Sequence, residues 1–140
     1  MIAIWTNHLS IANRTIDTAH RQIFNTINNI SKLIEARDDT ALREALISLE
    51  NSLCAYFEVE EKFARALNVD FDQHKLAHQQ LLNDIHKMSN ALAEKNGQWP
   101  GEDVEAFATP WTKRFIRHIK DEGKQMKVVL SSQYYDFQPD

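Results

Sequence analysis

Large apolar side chains recur at spacings of three and four along this chain, in four runs separated by polar interruptions. The first run is Ile16, His20, Ile23, Ile27, Ile30 and Ile34. The second is Leu42, Leu46, Leu49, Leu53, Tyr56, Glu60, Phe63 and Leu67. The third is Phe71, His74, His78, Leu81, Ile85, Met88 and Leu92, and the fourth is Val104, Phe107, Trp111, Phe115, His118, Glu122, Gln125 and Val129. Such spacing lines one face of an α-helix. Only 3 glycines and 3 prolines punctuate 140 residues, too few for the turns of a many-stranded fold. Asp38-Asp39-Thr40 supplies polar caps, Asn68-Val69-Asp70 a turn, and Gly97 with Pro100-Gly101 the clearest loop. The spacing predicts helices over about 16–37, 40–68, 71–96 and 102–131, after an irregular arm of about residues 1–15. Pro110 should kink the last helix or split off its first turns. The tail after Ser131 carries no assignment. Short connections make consecutive helices antiparallel, so the expected fold is all-α: an up-down-up-down four-helix bundle in a single domain spanning residues 1–140.

Composition narrows the function classes. A hydrophobic content of 43% sustains a packed core, while a net charge of -4 without a basic patch gives no footing for nucleic acid or an anionic membrane. Cys54 is the single cysteine, so an internal disulfide is excluded. It stands one position off the second seam and reads as an inert, partly buried thiol. No signal peptide is visible and no apolar stretch approaches the roughly 20 residues of a membrane span, so the expected compartment is the cytoplasm.

Seven positions break the apolar seams: His20, Tyr56, Glu60, His74, His78, His118 and Glu122. Burying such groups without partners costs about several kcal/mol each. At about 1.5 Å rise per residue, His20 and Tyr56 both lie about 26 Å from the first turn. Glu60 and His78 each stand roughly nine residues from the second turn, and His78 and Glu122 each roughly twenty from the Gly97 loop. All four helices therefore bring polar seam residues to one level. One seam histidine is more often a satisfied core residue than a ligand, but four at one level reverse that preference. His74-x-x-x-His78, Tyr56-x-x-x-Glu60 and His118-x-x-x-Glu122 each set two donors one turn apart. Seven donors exceed what a tetrahedral zinc takes. They suit two ions of intermediate softness that share carboxylates, iron first and manganese second. Glu58 and Glu61 read as solvated, and His8 and His86 as surface residues. The Cys-x-x-Cys-His of covalent haem, the Glu-x-x-His of ferritin-like sites and the His-Glu-x-x-His of zincins are all absent.

The sequence from Trp5 through Leu9-Ser10-Ile11 to Ile16-Asp17-Thr18-Ala19-His20-Arg21-Gln22-Ile23-Phe24 resembles the opening of bacterial hemerythrins. Tyr56-Phe57-Glu58-Val59-Glu60-Glu61 resembles their second-helix motif His-Phe-x-x-Glu-Glu. Gln73-His74-Lys75-x-x-His78 and His118-Ile119 are similar to their third- and fourth-helix motifs. The resemblance implies a non-haem di-iron centre, oxo- or hydroxo-bridged, with bridging carboxylates and one open position for a small ligand. His74, His78 and His118 would bind one iron, His20 and Tyr56 the other, and Glu60 would bridge. Two departures stand out. Tyr56 occupies the usual place of a histidine, and Gly123 that of a carboxylate. Glu122, one residue earlier, keeps to the seam and is the expected replacement, with Asp121 pointing roughly 100° further round the helix.

A phenolate donor favours the ferric state, which argues against simple reversible oxygen carriage. The expected function is binding or sensing of a small oxidant, a diatomic molecule or peroxide, with the protein partner left open. Two alternatives stand beside it: a di-iron redox enzyme with peroxidase-like or nitric-oxide-handling activity, and a metal-free structural or partner-binding bundle.

Overall fold

The computed structural model describes residues 3–94 and 101–139, with the backbone alone at 101 and 122–124. Four helices carry the chain: α1 over Arg14–Ala36, α2 over Asp39–Ala66, α3 over Asp72–Glu94 and α4 over Gly101–Leu130. No strand occurs among the described residues. None of their helices is long and apolar enough to cross a membrane.

Local chemistry sets the helix ends. The Asn13 carboxamide accepts from the Ile16 N–H to cap α1, and the Asp38 carboxylate accepts from the Ala41 N–H to cap α2. Arg37 closes α1 in the left-handed region at φ 55°, and the Asp38 N–H reaches back to the Leu33 carbonyl. Asn68 takes the same conformation after α2, where the Val69 N–H donates to the Ala64 carbonyl. The expected caps and turns at 38–40 and 68–70 are therefore present. The Gly97 loop, residues 95–100, lies outside the described residues.

Each helix packs against the next, and α4 closes on α1. Cross-helix contacts run in opposite senses along neighbours. Residue 20 meets 56 while the wall of one core cavity joins 30 and 46, and residue 111 meets 81 while 118 meets 78. The helices are antiparallel in turn, which bears out the bundle read from the seams. The first three seams are buried as expected from Ile16 to Ile30, Leu42 to Phe63 and Phe71 to Leu92.

Three details differ from the sequence reading. The arm ends sooner, at Asn13, and includes a 3₁₀ turn over Asn7–Leu9. Of the two outcomes expected at Pro110, the split does not occur: α4 runs through it, with Trp111 and Thr112 beside it buried. Beyond His118 the buried face of α4 follows Ile119, Met126 and Leu130, while Gln125 is exposed and Val129 half-buried. The drift of a 3.6-residue period against a strict three-four count is only about 20° per seven residues, a fifth of one residue, so it accounts for a small part of this displacement.

The tail, unassigned from sequence, folds back on the start of α1. The Arg14 N–H donates to the Tyr135 carbonyl at 2.8 Å, Asn13 Nδ2 to the Phe137 carbonyl at 2.9 Å, and the Phe137 ring meets Phe63 edge-on at 5.9 Å. The clasp centres on Asp17, which is 1% exposed. Its carboxylate accepts from the Ser10 hydroxyl at 2.5 Å, the Ile11 N–H at 2.9 Å and the Tyr135 hydroxyl at 3.0 Å. Asp17 is one turn before His20, so the clasp fixes the segment that carries the first polar seam residue.

Candidate metal centre

The polar residues of the seams are buried in the bundle: His20, Tyr56, Glu60, His74, His78 and His118 are all 6% exposed or less. Glu122 lies within α4, but its side chain is outside the described residues.

On one side of this layer, α2, α3 and α4 converge. The Nε2 atoms of His78 and His118 stand 3.0 Å apart, and Glu60 Oε2 is 3.4 Å from the first and 4.0 Å from the second. Among the described residues these three make a group whose donor atoms lie close enough to share one ion. Two ligands at right angles on an ion about 2.1 Å away would be roughly 3.0 Å apart, so the spacing is compatible with ligation as well as with the hydrogen bond between the two rings. The His74 ring is adjacent, 5.5 Å from His118 between centroids. Phe57 stacks on His78 at 3.7 Å and 7°, which fixes the plane of that imidazole.

On the other side α1 meets α2. The Tyr56 hydroxyl is hydrogen-bonded to Nε2 of His20, and the rings lie edge-on at 5.0 Å. These two groups, from facing helices, are bonded to each other.

Burial keeps these imidazoles uncharged. Desolvation brings His20 down to about 3, with the charge of His118 acting in the same sense. Desolvation also lowers His118 to about 4, helped by His74 and opposed by Asp121. His78 falls to about 2 through desolvation and then its neighbours His118 and His74. His74 is lowered by desolvation, with Asp121 and Asp70 opposing. Neutral imidazoles have lone pairs to give, which is the state a metal requires. Nδ1 of His74 and of His78 is buried without a hydrogen-bond partner. The donor set of imidazole, carboxylate and phenol fits a metal of intermediate softness.

The sequence reading brought these residues to one level, and six of the seven are at that level with side chains in place. It missed Phe57 and Asp17. Phe57 follows a seam residue, a position that faces the core only because α2 is buried on two sides here. Asp17 gives no periodic signal, since its partners are Ser10, Ile11 and Tyr135, the last of these 118 residues away. Cys54 requires a correction: it is exposed, because one position off the seam turns it roughly 100° from the core. Glu58, His8 and His86 are exposed as expected, and Glu61 is half-buried.

A four-helix bundle with a buried layer of neutral histidines around a carboxylate defines a protein with a candidate cation site in its core. Residues 12–130 match the family model described as hemerythrin HHE cation binding domain, and the chain belongs to that family. No curated protein and no solved structure matches the chain.

Proposed function

We propose that the chain is a non-haem di-iron protein that binds or senses a small oxidant, dioxygen, nitric oxide or peroxide, and is not a simple reversible dioxygen carrier. His74, His78 and His118 would hold one iron, His20 and Tyr56 the other, and Glu60 would join the two. Glu122 would add a carboxylate from α4. Manganese is the lesser alternative to iron. The observation that carries the reading is the convergence of Glu60, His78 and His118 at 3.0 to 4.0 Å beside a second pair of donors, His20 and Tyr56.

Bound iron supplies redox change and affinity for oxidants, which no side chain of the set has. The protein supplies the rest. Burial keeps the imidazoles neutral and available, Glu60 contributes a buried carboxyl group, and Phe57 holds the His78 ring. Tyr56 would hold iron through its phenolic oxygen after releasing the proton to solvent, and an anionic oxygen donor would favour the ferric state. That preference weighs against reversible carriage, which needs an accessible ferrous pair.

Elemental analysis with an absorption spectrum of the purified protein tests the proposal. The expected result is about two irons per chain. One zinc per chain, or no metal after iron-replete expression, would sink it and leave a structural bundle. A cavity of about 190 Å³ beside His118, bordered by Gln80, Arg114, Arg117 and Asp121, favours a second reading, redox turnover with an external reductant. Sustained consumption of peroxide or nitric oxide in the presence of a reductant separates that enzyme from a sensor.

A further inference from the structure

The bundle core holds a cavity of about 20 Å³ away from the polar layer. All four helices contribute to its wall: Ile27 from α1, Leu49 from α2, Ile85 from α3 and Trp111 from α4. Each of the four is 2% exposed. Each also lies seven residues from a member of the polar layer, Ile27 from His20, Leu49 from Tyr56, Ile85 from His78 and Trp111 from His118. Seven residues are about two helical turns, or roughly 10 Å. One layer of side chains intervenes: Phe24, Leu53, Leu81 and Phe115, each buried. Within it Phe24 meets Phe115 edge-on at 6.2 Å, and Trp111 stacks on Phe115 at 5.5 Å and 7°.

The wall is hydrocarbon apart from groups already engaged. The Thr112 hydroxyl donates to the Ala108 carbonyl at 2.8 Å, and the Trp111 indole N–H to the Leu81 carbonyl at 3.0 Å. A water needs two to four polar partners, so a void of this kind stays dry and takes small apolar molecules. Its size is slightly above the roughly 10–15 Å³ that admits one water-sized molecule, so it has room for about one small apolar molecule.

We propose that this cavity is a holding site for one apolar diatomic gas, dioxygen or nitric oxide, on its way to the metal layer. The transit rests on the oxidant-binding function proposed above; occupancy of the cavity does not. The gas would gain the layer when the Phe24 and Phe115 rings part, as side chains of a packed core do transiently.

Two measurements test this on the iron-loaded protein. In crystals pressurised with krypton, one atom should appear among Ile27, Leu49, Ile85 and Trp111, and Ala108→Leu, which fills the space, should abolish it. In solution, Ala108→Leu should slow the reaction of the reduced protein with dioxygen several-fold, with iron content and absorption spectrum unchanged. Val104→Ile adds a single methylene to the same wall and is read the same way should the leucine prevent folding. No krypton in the wild-type cavity overturns the holding site. Krypton present with an unaltered rate in a cavity-filled variant overturns the transit. A wild-type protein without iron removes the proposed function and the transit with it, while krypton still decides the occupancy.

Discussion

The two sides of the polar layer are built from different chemistry inside the same apolar walls. Toward α3 and α4, three imidazoles gather near one carboxylate, and the nearest donor atoms are 3.0 to 4.0 Å apart. Toward α1 and α2, a single imidazole meets a single phenol. Burial lowers the histidines of both sides, so the walls do not distinguish them. The donors do. Neutral nitrogens accept a divalent ion readily, whereas a phenol binds only after losing a proton and then prefers a higher charge. Two ions in this layer would therefore sit in unequal positions, one chosen by nitrogen and one by anionic oxygen.

Removing the group that would serve both sides gives the largest effect. Glu60→Ala should take iron from about two per chain to well below one, with the helical content retained. It should also remove the thermal stabilisation that metal gives, because only the folded chain gathers the ligands. Iron remaining near two per chain would show that Glu60 is a buried neighbour and not the joint between the sites.

Acid should weaken both sides together. The folded state holds its histidines below their ordinary value of 6.5, so the unfolded chain binds more protons between that value and the folded ones. Stability of the metal-free bundle is therefore complete above about pH 6.5. It is lost as pH falls toward 4 and 3, the folded values of His118 and His20. Each histidine held neutral contributes up to about 1.4 kcal/mol per pH unit over that window. Urea denaturation at pH 7.5 and at pH 5 measures it; equal midpoints would mean that the imidazoles are solvated in the metal-free state.

Tyr56 sharpens the contrast spectroscopically. Ferric iron bound by a phenolate absorbs in the visible region, so the isolated protein should be purple to blue. Tyr56→Phe should abolish that band and change stability by less than about 1.5 kcal/mol, since the ring keeps its core place. Tyr56→His should make reduction easier and oxygen binding more reversible. A ferric protein whose spectrum ignores Tyr56→Phe would make the hydroxyl a hydrogen-bond partner of His20 and return reversible carriage to consideration. On α4 the parallel comparison is Glu122→Ala, expected to lower iron content, against Asp121→Ala, expected to leave it.

Much of this arrangement was legible because helices convert sequence spacing into height and direction. His74 and His78, one turn apart, had to share a face, and three short or polar breaks were enough to bring Glu60 and His118 to the same level. The end of α4 was less legible, because its buried face passes to Ile119, Met126 and Leu130, one residue from the seam counted as Gln125 and Val129. The contacts of the tail left no periodic trace at all. Phe137 and Tyr135 belong to an irregular segment, and their partners Phe63, Asn13 and Asp17 are chosen by the folded shape of the bundle end.

That clasp provides the smallest expected effect and a final measure of the difference between the sides. Tyr135→Phe deletes the hydroxyl that donates to Asp17 Oδ2 at 3.0 Å and leaves the carboxylate with Ser10 and Ile11. Since Asp17 keeps partners, the cost should be about 1 kcal/mol, seen as a modest fall in the unfolding midpoint. Helix α1 retains its Asn13 cap and its buried seam, so His20 should stay opposite Tyr56, with iron content and the visible band unchanged. A shifted band with iron still at two per chain would mean that the clasp sets the angle at which His20 meets the phenol. The α1–α2 side would then depend on the tail for its geometry, whereas the α3–α4 side, with Phe57 stacked on His78, holds its own.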